Sequence, residues 1–204
     1  ASLHAVANAI RAKNGTSETY KPSEMADAIA AISSGSASYD VSADVMNGTA
    51  TSVKIDPTAT TIKKYLFNGL ENLTSVELPN SITTIKEYGF SSCTGLANIV
   101  WSNSLTSIGN GAFSGCKLLN FQSLPESVID IASNAFYGCE ALTLTSLPSG
   151  LTKINGSTFQ QCHNIALTAL PSGITSIGSY AFYPCKKLAI TEMPSSVTEI
   201  KAYA

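Results

Sequence analysis

The sequence predicts a mainly β solenoid wound from 23-residue coils and preceded by a small helical hairpin. Three series of residues predict it. Phenylalanine stands at Phe67, Phe90, Phe113, Phe136, Phe159 and Phe182. Isoleucine stands at Ile62, Ile85, Ile108, Ile131, Ile154, Ile177 and Ile200, and cysteine at Cys93, Cys116, Cys139, Cys162 and Cys185, with Leu70 in the cysteine phase of the first unit. Every interval is 23 residues, and a proline shares the register at Pro79, Pro125, Pro148, Pro171 and Pro194. Several residue types on one period mark a repeat architecture, because a single unit cannot bury its own apolar edge and stacked units can.

Composition agrees and excludes several alternatives. Of 204 residues, 44% are hydrophobic, enough for a core, while only 13% are charged. Serine and threonine supply the missing polarity. The net charge is -2 and Arg11 is the only arginine, which argues against a nucleic-acid partner, since arginine is the preferred grip on phosphate and base edges. No apolar run reaches the ~18 residues that mark a membrane span. No basic-then-apolar leader opens the chain, which begins Ala1-Ser2. An odd number of cysteines does not suit a complete set of internal disulfides.

Residues 1–34 stand outside the repeat. Leu3, Val6, Ala7 and Ile10 have helical spacing between an N-cap at Ser2 and a stop at Asn14-Gly15. Pro22 opens a second helix with Met25, Ile29 and Ile32 as its apolar stripe. Two such stripes pack as a helical hairpin. In 35–50, Tyr39, Val41, Ala43 and Val45 alternate before the turn Asn47-Gly48, and Thr49, Thr51, Val53 and Ile55 alternate after it. That is a linker and a β-hairpin placed to cap the first coil.

The solenoid proper spans 51–204, six full units and a seventh begun. In the unit Ala166–Leu188, an apolar-alternating stretch ends at Leu170-Pro171, where proline stops ladder pairing. A second short strand runs from Ile174 to Ile177. Gly178 to Cys185 then curls back, turning Ala181, Phe182 and Cys185 inward, and Leu188 closes the coil. Like residues then sit on like residues at the ~4.8 Å strand spacing. The third unit departs from the pattern with Trp101-Ser102 in the Leu-Pro slot. Its strand residues, Ile99 and Trp101, match Val76 and Leu78 of the second unit. Later units use Phe121/Leu124, Leu144/Leu147 and Leu167/Leu170 instead. A one-position change moves a side chain across a strand, so a bulge or altered strand shape is expected between units three and four. The chain stops at Ala204, one residue short of the seventh phenylalanine. The expectation is that the natural chain continues, or that its last coil is frayed or covered by another molecule.

The motif Leu-Pro-x-x-Val/Ile-Thr-x-Ile-Gly-x-x-Ala-Phe-x-x-Cys-x-x-Leu, best seen in Ala166–Leu188, resembles the BspA-like leucine-rich-repeat family of bacterial surface and secreted proteins. Ser149–Ile154 and Ser195–Ile200 are close variants, and the resemblance covers 51–204. It implies a curved, strand-rich leucine-rich-repeat solenoid with adhesive or host-interacting roles, at the cell surface or outside the cell. The segments Val6–Lys13 and Met25–Ile29 resemble a short helical stretch of phage and prophage tail proteins, and of surface proteins of gut Gram-positive bacteria.

No catalytic, cofactor or metal residues are assigned, and the ligand-contacting residues are left unknown. The cysteines share one phase with Leu70, so a buried ladder accounts for them better than metal or redox chemistry does. His163 follows Cys162, but its phase holds Thr94, Lys117, Glu140 and Lys186 elsewhere, the mark of a solvated position. No nucleophile elbow, phosphate loop or His-Glu-x-x-His occurs. Four Asn-x-Ser/Thr triplets, at Asn14, Asn47, Asn72 and Asn155, are ordinary for a chain so rich in these residues. Two surfaces remain. One is a small polar face at Gln122, Thr145, Thr168 and Thr191, either a binding face or simple solvation of a sheet. The other is a tyrosine phase at Tyr65, Tyr88, Tyr180 and Tyr203, broken by Gly111, Asn134 and Ser157. It either holds a sugar or peptide or packs one coil on the next. The function expected is a non-enzymatic interaction protein that binds a protein or glycan of a host or neighbouring cell. A structural component of a phage or prophage tail is the alternative.

Overall fold

The structure, a computed structural model, describes residues 48–204. The helical hairpin expected at 1–34 and the first arm of the capping β-hairpin lie outside the described residues; on its second arm, Ser52 bridges Ser75 in parallel, 23 residues on, as one coil meets the next. Nine short strands follow in order: β1 (Thr61–Ile62), β2 (Ser75–Glu77), β3 (Thr84–Ile85), β4 (Asn98–Val100), β5 (Ser107–Ile108), β6 (Asp130–Ile131), β7 (Lys153–Ile154), β8 (Ser176–Ile177) and β9 (Glu199–Ile200). Every pairing is parallel, and the partners are 23 residues apart, as Ile62 with Ile85, Ile85 with Ile108 and Ile108 with Ile131. The predicted period is therefore the physical turn of the solenoid.

Parallel strands joined by a full coil leave one side chain per coil facing the same way, and the core is built from those columns. Phe67, Phe90, Phe113, Phe136 and Phe159 are wholly buried. Consecutive rings from Phe67 to Phe182 stack at centroid distances of 5.2, 5.3, 5.5, 5.7 and 5.6 Å. Ile62, Ile85 and Ile108 line the opposite wall, and Ile82, Leu105, Val128, Leu151 and Ile174 fill the floor beside them. Offset stacking along the column adds ~0.5–1.5 kcal/mol per pair to what burial itself contributes.

The hydrogen bonds between coils reverse direction around the turn of the solenoid. On the strand side a later coil donates to the earlier one: Thr83 N–H to Thr60 O at 2.8 Å, Lys86 N–H to Ile62 O at 2.9 Å. On the curled side the earlier coil donates to the later one, with Tyr65, Phe67 and Gly69 giving their N–H groups to Glu87, Gly89 and Ser91. The curled side is a run of tight turns, closed within the coil by bonds such as Leu66 N–H to Lys63 O and Asn68 N–H to Tyr65 O. Main-chain hydrogen bonds join the coils along both arcs, so little regular strand suffices.

The expected change after the third unit is present. β2 and β4 pair over three residues each, and no strand follows on that arc in later coils. Its cause is the shifted apolar phase. Val76 is buried and Ile99 half-buried, whereas the later coils bury Leu144 and Leu167 one position earlier. An extended ladder cannot turn both phases inward. Asn120 compensates at the change, its Oδ1 accepting from Thr143 N–H at 3.0 Å and from the Thr143 hydroxyl at 2.7 Å. Trp101 fills the same region, edge-on to Phe113 and Phe121 at 5.5 and 5.2 Å. In place of the missing proline, the buried Ser102 hydroxyl donates to Ile82 O at 2.6 Å.

A second interruption separates the sheet β1-β3-β5-β6 from β7-β8-β9. Elsewhere the main-chain N–H after each strand isoleucine donates to the isoleucine carbonyl of the preceding coil, as Ala132 N–H does to Ile108 O and Gly178 N–H to Ile154 O. At the interruption the side chain of Asn155 takes that acceptor, Nδ2 lying 2.6 Å from Ile131 O.

Candidate functional site

The five cysteines form one column along the solenoid. All five thiols are free, four of them buried and Cys185 half-buried. The Sγ atoms of Cys93, Cys116, Cys139, Cys162 and Cys185 lie 3.0, 3.0, 3.3, 3.0 and 3.2 Å from the carbonyl oxygens of Phe67, Phe90, Phe113, Phe136 and Phe159. Burial pushes the Cys116, Cys139 and Cys162 thiols well up from their ordinary value. A thiol that keeps its proton is a poor nucleophile and a poor metal ligand, and the ladder reading of the cysteines stands. Among the described residues, no group of three or more His, Cys, Asp or Glu could hold a metal ion.

His163 is half-buried at the surface, its Nδ1 3.0 Å from the Pro184 carbonyl oxygen. The phase is only partly solvated: Thr94 is half-buried like His163, while Lys117 and Glu140 are exposed and 3.9 Å apart, an ion pair of little energetic weight.

Gln122, Thr145, Thr168 and Thr191 are all exposed, one per coil. They lie on the arc that has lost its strands, so the face is a row of extended segments instead of a regular sheet. A second threonine column, which the sequence reading passed over, runs along the other arc at Thr60, Thr83, Thr106, Thr152, Thr175 and Thr198. Its hydroxyls are largely committed to the coil before: Thr83, Thr106, Thr175 and Thr198 each donate to the carbonyl 23 residues earlier, at 3.0 to 3.2 Å. Ile129 interrupts the column and is 59% exposed.

The tyrosine phase has a stricter geometry than the sequence suggested. Tyr65, Tyr88, Gly111, Asn134, Ser157, Tyr180 and Tyr203 all have positive φ, between 55° and 58°. Each coil therefore requires one left-handed residue here, a region glycine and asparagine enter readily and tyrosine at a cost of ~1–2 kcal/mol. The glycine and asparagine within the series were the signal for this, and the reading of the tyrosines alone missed it. Where two rings are adjacent they stack, Tyr65 on Tyr88 at 5.1 Å and Tyr180 on Tyr203 at 4.9 Å. Lateral packing between coils is thus real. It does not account for Tyr183, half-exposed and edge-on to Tyr180 and Tyr203 at 6.0 and 6.2 Å.

Among the described residues, no helix is long and apolar enough to cross a membrane. The family model described as BspA type leucine-rich repeat region matches six copies over residues 45–166 and 119–204. Among solved structures, the chain is similar to a leucine-rich cell surface protein from Faecalibacterium prausnitzii, with 27% identity and a TM-score of 0.62. That match covers 80% of this chain and 42% of the other, so this chain spans under half of that relative's length. A leucine-rich repeat protein from Bacteroides ovatus shares the fold at 24% identity and TM-score 0.54, over 79% of this chain and 53% of its own. The leucine-rich repeat protein of T. pallidum does so at 23% and 0.53, over 74% and 86%. No curated protein matches the chain in sequence.

Proposed function

The chain belongs to the BspA-type leucine-rich-repeat family, and on that footing we propose that it is a non-enzymatic interaction protein of a bacterium. It works at the cell surface or in secreted form and binds a protein or glycan of a host or neighbouring cell. The observation that carries this reading is the repetition itself. Coil after coil presents exposed, nearly uncharged polar residues in one register, among them Thr145 and Thr168. A broad surface held on a rigid stacked core suits recognition of an extended partner. The resemblance to a cell surface protein from Faecalibacterium prausnitzii supports the same location.

A component of a phage or prophage tail is the other reading of the sequence. It rests on the segment within residues 1–34, outside the described residues, and nothing in the solenoid favours it. A combined protein-and-glycan binding array probed with the purified chain is the test. Saturable binding to host-derived protein or glycan is the expected result. No binding on the array, with a filament or trimer by light scattering, overturns the proposal in favour of a structural role.

A further inference from the structure

The last coil, ending at Ala204, exposes columns that the coils before it bury. Ile200 is 57% exposed, although it stands in the column of Ile154 and Ile177, which are 3% and 2% exposed. Met193 is exposed in the column of the buried Leu147 and Leu170, and Val197 is half-buried in the column of the buried Leu151 and Ile174. With Tyr203, which stacks one face on Tyr180, these residues make one apolar end face. The outer edge of β9 runs beside it. Along the strand side an isoleucine carbonyl accepts from the following coil, as Ile177 O does from Lys201 N–H at 2.9 Å. Ile200 O is turned the same way and so points out of the end face. In an extended strand the N–H of a residue points to the same side as its carbonyl, so Ile200 presents a donor and an acceptor together.

This edge is complementary to itself. Glu199, Ile200 and Lys201 follow one another, and the side chains of Glu199 and Lys201 lie on one side of the strand, 3.7 Å apart. An antiparallel strand of the same sequence, centred on Ile200, exchanges both main-chain bonds between the two isoleucines. It sets each Glu199 opposite the other copy's Lys201, a favourable cross-strand pair formed twice, and it keeps both Ile200 side chains on the core side. The charged residues of 182–204 are Lys186, Lys187, Glu192, Glu199 and Lys201, three cations against two anions, so like charge does not hold two such faces apart. A head-to-tail neighbour would need an open face at the other end of the solenoid, where Ile55, Ala59 and Ile62 are buried. The contact is therefore of one face with itself, and it closes at two copies.

We propose that two copies of this chain join end to end through β9 and the apolar face beside it, one solenoid running on into the other across a two-fold axis. The inference goes beyond the interaction role argued above and stands whether or not a ligand binds on the array. Analytical ultracentrifugation of the whole chain tests it. A dimer should form by about 0.1 mM, with nothing larger. Lys201→Glu sets like charges opposite each other twice over and should raise the dimer Kd about tenfold. Glu199→Lys combined with Lys201→Glu exchanges the two charges and restores both pairs, and should return the Kd to within about threefold of the unaltered chain. Both side chains are more than half exposed, so the fold is kept, as circular dichroism should verify. A monomer at that concentration, or oligomers that keep growing with it, overturns the proposal. So does a dimer that Lys201→Glu leaves as tight as before, or one that the exchanged pair fails to restore.

Discussion

Cys139 Sγ lies 3.3 Å from the carbonyl oxygen of Phe113, 26 residues earlier, and so joins the curled side of one coil to that of the coil before. The same pairing recurs for all five cysteines. It explains why a small residue with a weak donor holds this position, for a hydrocarbon of equal size fills the space without meeting the carbonyl.

The thiols make stability sensitive to alkali. Burial pushes Cys185 from 9.0 to about 12 and raises Cys116, Cys139 and Cys162 as well. A proton held more tightly in the folded chain than in the unfolded one favours folding. That contribution is complete below 9.0 and is lost as the pH rises toward the folded values. The melting temperature should therefore hold steady up to about pH 9 and fall steeply by about pH 12. Melting curves across that range check it. At pH 8 a thiol reagent should find Cys185 first and leave the inner four intact until the chain unfolds; rapid labelling of Cys139 in the native chain would contradict the ladder.

Phe113 is enclosed by aromatic rings, with Phe90 and Phe136 stacked on its two faces and Trp101 against its edge. Phe113→Ala should cost ~3–5 kcal/mol, the usual loss for a buried phenylalanine. Phe113→Leu keeps most of the volume and should cost clearly less. Urea unfolding of the two variants separates them, and a loss under ~1 kcal/mol for the alanine would show that the ring is not a core element.

The columns were legible in the sequence because each is one residue type repeated in one phase, and burial then follows from stacking. The strand change after the third unit was legible for the same reason, as the apolar phase itself moves from Ile99 to Phe121. The break between β6 and β7 was not. It turns on Asn155 giving a side-chain donor where neighbouring coils give a main-chain one, and composition looks the same either way. The tyrosine series was half legible. Its period was plain, but its need for a left-handed residue lay in the glycine, asparagine and serine that interrupt it.

Two glycines five residues apart should respond in opposite ways to the same substitution. A Cβ on Gly178 would sit 2.4 Å from Gly156 N, main chain of the preceding coil that cannot move without parting the stack. Gly178→Ala should cost ~1–3 kcal/mol, as overpacking does. At Gly173 the nearest atom, Leu151 O, is 3.4 Å away, an ordinary contact. Gly173→Ala should be neutral or stabilise by up to ~1 kcal/mol, through the smaller entropy of the unfolded chain. Thermal melts of both variants settle the order, and equal melting temperatures would count against the close approach.

Tyr88 balances a strained backbone against a stack. Its left-handed conformation costs ~1–2 kcal/mol, while the ring stacks on Tyr65 and covers Gly111. Tyr88→Asn relieves the backbone and loses the stack, so the net change should stay within ~1 kcal/mol. Tyr88→Val loses the stack and keeps a branched side chain in the same region, and should be the worse of the two by ~1 kcal/mol or more. Chemical denaturation of the pair checks it; a valine variant as stable as the asparagine one would mean that the strain is released elsewhere in the coil.

Asn155 holds the one junction where the strand-side sheet is broken. Its Nδ2 supplies the donor to Ile131 O at 2.6 Å, so Asn155→Ala leaves that carbonyl without its partner and should cost ~1–3 kcal/mol. In a stacked array the loss falls on a single interface, because each coil touches only its neighbours. Native-state hydrogen exchange should therefore show more than a uniform loss of protection. In Asn155→Ala, the amides on the two sides of the junction, Ala132 and Gly178, should come to exchange with different opening energies, the coils up to β6 separating from those beginning at β7. If protection instead falls equally on both sides, the two sheets unfold as one unit despite the break, and the curled-side bonds such as Asn134 N–H to Gly156 O at 3.1 Å carry the cooperativity across it.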